Sequence, residues 1–166
     1  MRVDQYCKRA VVAIDGEADI SEAARLMRER HVGFLVVFDK DDPLRKPEGV
    51  ITDRDIVLEV MALDIGAHAV TVADVMTRDP MIAHESDDLS ELMRGMRLAG
   101  IRRVPVVDAR GSLAGVIAVD DVIDVVSALL GDIAASIHTE QRQEWRARRA
   151  NLSGVTHPGS PQIATY

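Results

Sequence analysis

The feature that most constrains this chain is that it repeats itself. Residues 20–39, ISEAARLMRERHVGFLVVFD, align with residues 89–108, LSELMRGMRLAGIRRVPVVD, at an offset of 69 with 7 identities in 20. The alignment resumes three residues earlier in register, where GVITDRDIV (49–57) meets GVIAVDDVI (115–123) with 4 identities in 9. Two copies of one unit therefore lie head to tail, and any fold must accommodate the same unit twice.

Each copy has a readable order. A short apolar strand comes first, Ala10 to Ile14 in one copy and Met81 to Ala83 in the other. A helix follows, opened by Ser21 or Ser90 as the cap. Ala23, Ala24, Met27 and Val32, and likewise Leu92, Met93, Met96 and Ile101, form its apolar stripe at helical spacing. Two β-rich runs come next, FLVVF then GVI, or VPVVD then LAGVI, separated by turn-forming residues. A second helix, at 54–63 or 120–131, closes the unit. The order is β-α-β-β-α, twice. One small sheet with two helices cannot bury both of its faces alone, so the copies are expected to pack together.

Composition narrows the function. The 166 residues are 47% hydrophobic and 28% charged, with only 3% aromatic, so the core must be aliphatic. The net charge of −7 argues against a nucleic-acid binder, which carries a basic footprint. No run approaches 18 consecutive apolar residues, and the N-terminus lacks the apolar core of a signal peptide, so a cytoplasmic protein outside the membrane is expected. Cys7 is the one cysteine, which excludes an internal disulfide or a multi-cysteine metal site. The five histidines never fall at the spacing of a helical metal pair, and no phosphate loop, dinucleotide fingerprint, zinc-protease or serine-hydrolase motif is present. The expectation is a non-enzyme with no catalytic residues, no metal and no required cofactor.

The ordered set of GVITDRDIV, DVMTRDP (74–80), GIRRVPVVD and GVIAVDDVI resembles a tandem pair of CBS domains, the Bateman module. The resemblance covers about residues 8–131 and implies an α/β fold of two repeats, 8–70 and 71–131, packed with pseudo-twofold symmetry. The junction TVADVMTRDP reads as the connector between them. A C-terminal helical extension over 132–150 and a disordered tail over 151–166 complete the expected layout.

Thr52-x-x-Asp55 lies where a strand turns into a helix. A hydroxyl there can donate to a phosphate, and a carboxylate one turn in can accept from both hydroxyls of a ribose. The plainer alternative is an N-cap and a carboxylate compensating the helix dipole. The CBS resemblance implies the first use, with an adenosine-containing ligand such as AMP, ADP or ATP. In the second copy the equivalent positions are Ala118 and Asp121, so the hydroxyl is gone and a second site there should be weaker. Arg102 and Arg103 precede the second copy's valine strand, and the family arrangement turns this segment towards the site of Asp55, where arginine's fork suits phosphate. The first strand, through Val12 and Ala13, together with Ile51, is the expected slot for the base.

Beyond the second repeat, Val122, Val126, Leu129, Ile133 and Ile137 extend an apolar stripe at helical spacing. Residues 138–166 carry four arginines and two glutamates, net +2, against −9 for the rest. The stripe needs a surface, either the module's own flank or a second subunit, and the CBS resemblance implies a homodimer. The combined reading is a ligand sensor that binds an adenosyl molecule and modulates an unidentified partner. The rival is an interaction or oligomerisation module with no physiological nucleotide.

Overall fold

The computed structural model describes residues 1–153, with side chains to residue 146. Residues 154–166, most of the expected tail, lie outside the described residues. Two compact units are present, Met1–Val122 and the segment from Ile123 onward.

In the first unit β1 (Ala13–Asp15), α1 (Ile20–Arg30), β2 (Phe34–Phe38) and β3 (Gly49–Thr52) lead into α2 (Asp53–Asp55). The chain then winds as a π-helix over Ile56–Val60 and a 3₁₀ turn over Met61–Leu63 before the short α3 (Val72–Val75) and β4 (Thr77–Arg78). The second copy supplies β5 (Ala83–His84), α4 (Leu89–Ala99), β6 (Arg103–Val107), β7 (Leu113–Ala118) and α5 (Val119–Ser153). The β-α-β-β-α order appears twice, in two sheets ordered β1-β2-β3-β4 and β5-β6-β7. In each sheet the leading strand runs parallel to the middle one, Ala13 opposite Val36 and Ala83 opposite Val106, as the crossover helix between them requires.

The leading segments change sides. β4, which precedes the second copy, adds to the first sheet, with Thr77 opposite Val50. Lys8, its counterpart 69 residues earlier, pairs with Val116 of β7 through two backbone hydrogen bonds of 2.8 and 2.9 Å. The cores follow the same exchange. Val72 and Met76 are buried with Ile20, Leu35, Ile51 and Val60 in the first core. Val3, fully buried, sits with Leu89, Met96, Val104 and Ile117 in the second, flanked by Tyr6 and Cys7. Val3–Gln5, a 3₁₀ turn, is thus the equivalent of α3.

Gly49 and Gly115 permit this exchange. A Cβ on Gly49 would run into Met76 Sδ and lie 3.0 Å from the Thr77 carbonyl. One on Gly115 would lie 2.9 Å from the Lys8 carbonyl and 3.1 Å from Cys7 Sγ. The two glycines occupy the same place in the repeat, and each lets the other copy's lead-in cross the sheet edge.

Several local expectations are corrected. The helix caps are Asp19 and Asp88, not Ser21 and Ser90: Asp19 Oδ1 accepts from the Glu22 N–H at 2.7 Å, and Asp88 Oδ1 from the Ser90 N–H at 2.9 Å. The aspartates win because each α-helix begins earlier, at Ile20 and Leu89, which need burial. The leading strands are shorter than expected, because Ala10 to Val12 and Met81 leave the sheet to line clefts. The helix that closes the second repeat continues across Gly131 into the C-terminal extension, as the apolar stripe implied, and runs unbroken to Ser153.

In the second unit, α5 leaves Val126, Leu129, Leu130, Ile133 and Ile137 about half exposed or more. Its span Val119–Arg146 is long and apolar enough to cross a membrane by length and composition, with a window of mean hydropathy 1.5. The run-of-18 criterion missed it because Asp124 and Asp132 interrupt the sequence without lowering the average below that of a spanning helix.

Candidate functional site

Among the clefts on the first unit, two hold the repeats' strand-to-helix turns at equivalent places, one for each copy. The first, of about 370 Å3, is lined by Thr52, Asp53, Arg54 and Asp55 from one repeat and by Pro80, Met81, Gly100, Ile101, Arg102 and Arg103 from the other. Thr52, Asp55, Arg102 and Arg103, chosen from sequence, are therefore brought together. The second cleft, of about 310 Å3, takes Ala118, Asp120 and Asp121 from one repeat and Ala10, Val11, Val12, His31 and Val32 from the other, with Lys8 at its edge. Both volumes fall at the lower end of ordinary small-ligand sites.

In the first cleft the Thr52 hydroxyl and backbone N–H both donate to Asp55 Oδ2, each at 2.8 Å. The Asp55 N–H donates back to Thr52 Oγ at 3.2 Å. This reciprocal box closes the first turn of α2 and fixes the Asp55 rotamer. Asp55 Oδ1 takes no hydrogen bond from the described residues and remains an acceptor for a ligand hydroxyl. The turn is held to the facing segment by the Asp53 N–H donating to the Gly33 carbonyl at 3.2 Å, and the equivalent bond, Val119 N–H to the Arg102 carbonyl at 3.0 Å, holds the second. A Cβ on Gly33 would stand 2.6 Å from Asp53 Oδ2, so any side chain there would push the exposed Asp53 carboxylate aside.

The second cleft is built differently. Asp121 Oδ1 is engaged by Lys8 Nζ at 2.6 Å, and Ala118 has no hydroxyl to make a capping box. His31, the C-cap of α1, adopts a left-handed conformation at φ 54°, where the other copy uses Gly100. Nearby, burial pushes the Cys7 thiol up against the opposing pull of Arg9, which leaves it a poor nucleophile. Among the described residues no group of three or more His, Cys, Asp and Glu is arranged to hold a metal.

The expected base slot needs correcting. Ile51 is wholly buried in the first core and lines neither cleft, and Ala13 lines neither. Val12 lines the second cleft, with Ala118 and Asp121, not the first. The exchange of leading segments is the reason: the residues before β1 follow Lys8 to the second repeat, and Pro80 and Met81, equivalent to Val11 and Val12, take the apolar wall beside Asp55. Sequence reasoning missed Pro80, Met81, Ile101, Lys8 and His31. The offset of 69 relates 80–81 to 11–12, but nothing in a repeat says which copy's lead-in faces which cleft.

A family model for the CBS domain matches residues 3–62 and again 72–128. The chain belongs to the CBS-domain family. The matches begin at Val3 and Val72, the two lead-in valines of the exchanged segments. A putative signal-transduction protein with CBS domains from Burkholderia ambifaria superposes with a TM-score of 0.68 at 28% identity, over 77% of this chain and 95% of that one. A CBS domain protein from Pyrobaculum aerophilum, solved in complex with AMP, superposes with a TM-score of 0.66 at 28% identity, over 73% of this chain and 89% of that one. Inosine-5'-monophosphate dehydrogenase of Thermoplasma acidophilum is 35% identical over 115 residues, which are 69% of this CBS pair but only 21% of the enzyme.

Proposed function

We propose that this CBS pair is a regulatory ligand sensor that binds an adenosine-containing molecule such as AMP, ADP or ATP in the cleft of Thr52 and Asp55. In this reading Asp55 Oδ1 accepts from the ribose, Arg102 and Arg103 meet the phosphate, and Met81 and Ile101 flank the base. The observation that carries it is the convergence of a carboxylate with a free acceptor oxygen and two arginines from the other repeat on one small cleft. The AMP complex of the Pyrobaculum relative supports the ligand class. The cleft of Asp121 is the weaker site, since Lys8 already satisfies its carboxylate.

Because residues from both repeats line the cleft, a ligand that favours one packing of the repeats shifts their equilibrium, and a partner protein reads the shift. The protein acts without chemistry of its own, in the cytoplasm, as a homodimer. Asp124 and Asp132 within the apolar span of α5 each carry a cost of about 2.5–3.5 kcal/mol at a bilayer centre, which favours a protein surface over lipid as the cover for its stripe. That exposed stripe also supports the second reading, an interaction module that binds no nucleotide.

Thermal unfolding against AMP, ADP, ATP and S-adenosylmethionine tests both readings. A ligand at 100 times its Kd adds about 2.7 kcal/mol, or about 5–10 °C for a chain this long. A shift of that size with one adenosyl ligand, lost in Asp55→Ala, is the expected result. No shift with any of the four overturns the sensor reading and leaves the interaction module.

A further inference from the structure

Phe34 and Arg103 begin the middle strands of the two sheets at equivalent positions, and each lines both clefts. They form the wall between the two sites. Phe34 is neutral, so the wall carries a single charge, the Arg103 guanidinium, which makes no ion pair or hydrogen bond with the described residues. That charge sets the balance on both sides. The first cleft holds Arg54, Arg102 and Arg103 against Asp53 and Asp55, one net positive charge, and is neutral without Arg103. The second holds Lys8 and Arg103 against Asp120 and Asp121, neutral overall, and is negative without Arg103.

We infer that Arg103 is shared between the two clefts and makes anionic ligands in them antagonistic: a phosphate bound in one cleft draws the guanidinium and lowers the affinity of the other for a second anion. The inference rests on the nucleotide reading and adds its regulation. A guanidinium satisfies one phosphate with two parallel N–H donors in one plane, so it serves one side at a time. The first cleft keeps Arg54 and Arg102 when Arg103 turns away. The second keeps only Lys8, which Asp121 already holds. The first cleft therefore fills first and the second is the one suppressed. By linkage, an anion placed in the second cleft weakens the first by the same factor.

Calorimetric titration of the full chain with AMP, and with adenosine as the uncharged control, tests this. The affinity of the second cleft is read alone in Asp55→Ala, with Asp55→Asn as a variant that preserves the turn, and compared with the second AMP bound by the wild type. The expected result is a second AMP bound at least fivefold more weakly when the first cleft is filled, within the roughly 5–150-fold range of known couplings. Adenosine shows no such difference, and Arg103→Gln abolishes it for AMP. Two AMP molecules binding independently, or an antagonism that persists in Arg103→Gln, overturns the sharing of Arg103 and leaves the nucleotide reading standing. Failure of AMP and adenosine to bind either cleft overturns both.

Discussion

Asp19 and Asp88 show how much one carboxylate position settles. Each sits one residue before its helix and accepts from the first free backbone N–H groups. The Asp88 carboxyl is held well below the usual carboxylate range, first by the Ser90 hydroxyl, then by the Met1 ammonium and the Ser90 N–H. Asp19 is lowered chiefly by its 2.8 Å hydrogen bond with His68, then by the Glu22 N–H. A carboxyl whose folded pKa is depressed contributes stability that is fully present above the unfolded value of about 4 and is lost as pH falls towards the folded value. Asp88→Ala should therefore lower the urea midpoint at pH 7, and the gap from wild type should narrow below about pH 4. A gap unchanged between pH 7 and pH 3 would show that the ionised cap contributes nothing. Ser21 and Ser90 looked like caps because serine is a good one, but the buried Ile20 and Leu89 pull the helix start towards the aspartates.

At the scale of elements, the crossing lead-ins depend on two glycines. Gly49→Ala and Gly115→Ala put a methyl against a backbone carbonyl, and each should cost about 1–3 kcal/mol in urea denaturation. Gly131→Ala is the contrasting case, since nothing lies within 4 Å of its would-be Cβ and it sits in the body of α5. That change should raise helix content, by about 0.8–1 kcal/mol of propensity, measured by circular dichroism on heating. These elements also mark where the sequence was legible. Of the seven residues that the run from Ile20 to Asp39 shares with its copy, only Met27 with Met96 and Val37 with Val106 are buried pairs. The other core positions of the two helices and middle strands match in apolar kind, and that periodicity yielded the order of elements, while the separate match of GVITDRDIV yielded the turn at Thr52. Val3 to Arg9 match Val72 to Arg78 at only two positions, Val3 and Arg9, because a lead-in needs one buried anchor and backbone pairing rather than particular side chains. The exchange was therefore invisible, and with it the true apolar wall beside Asp55. The π-helical turn at Ile56–Val60 gave no pattern either, since its apolar residues suit an ordinary helix equally well.

For the whole molecule, the exchange makes the repeats interdependent. A fragment ending at residue 70 lacks Val72 and Met76 from its core and β4 from its sheet edge. A fragment starting at residue 71 lacks Val3 and the Lys8 pairing with Val116. Neither half should show cooperative unfolding alone, and mixing the two should restore it. A half that melts cooperatively by itself would show that the lead-ins are decoration on cores already complete.

That interdependence has a consequence for linkage. A solitary repeat has a vacant place in its core and an unused lead-in, and the two can satisfy each other only in a second molecule, as swapped arms between identical chains. Joining two such units end to end turns an encounter at cellular concentration into one at an effective concentration in the millimolar range for a short linker. It also frees the two sides from being identical. Thr52 and Ala118, and Phe34 and Arg103, are pairs that an exchanged dimer of one gene product cannot hold as different residues, and the fused chain does.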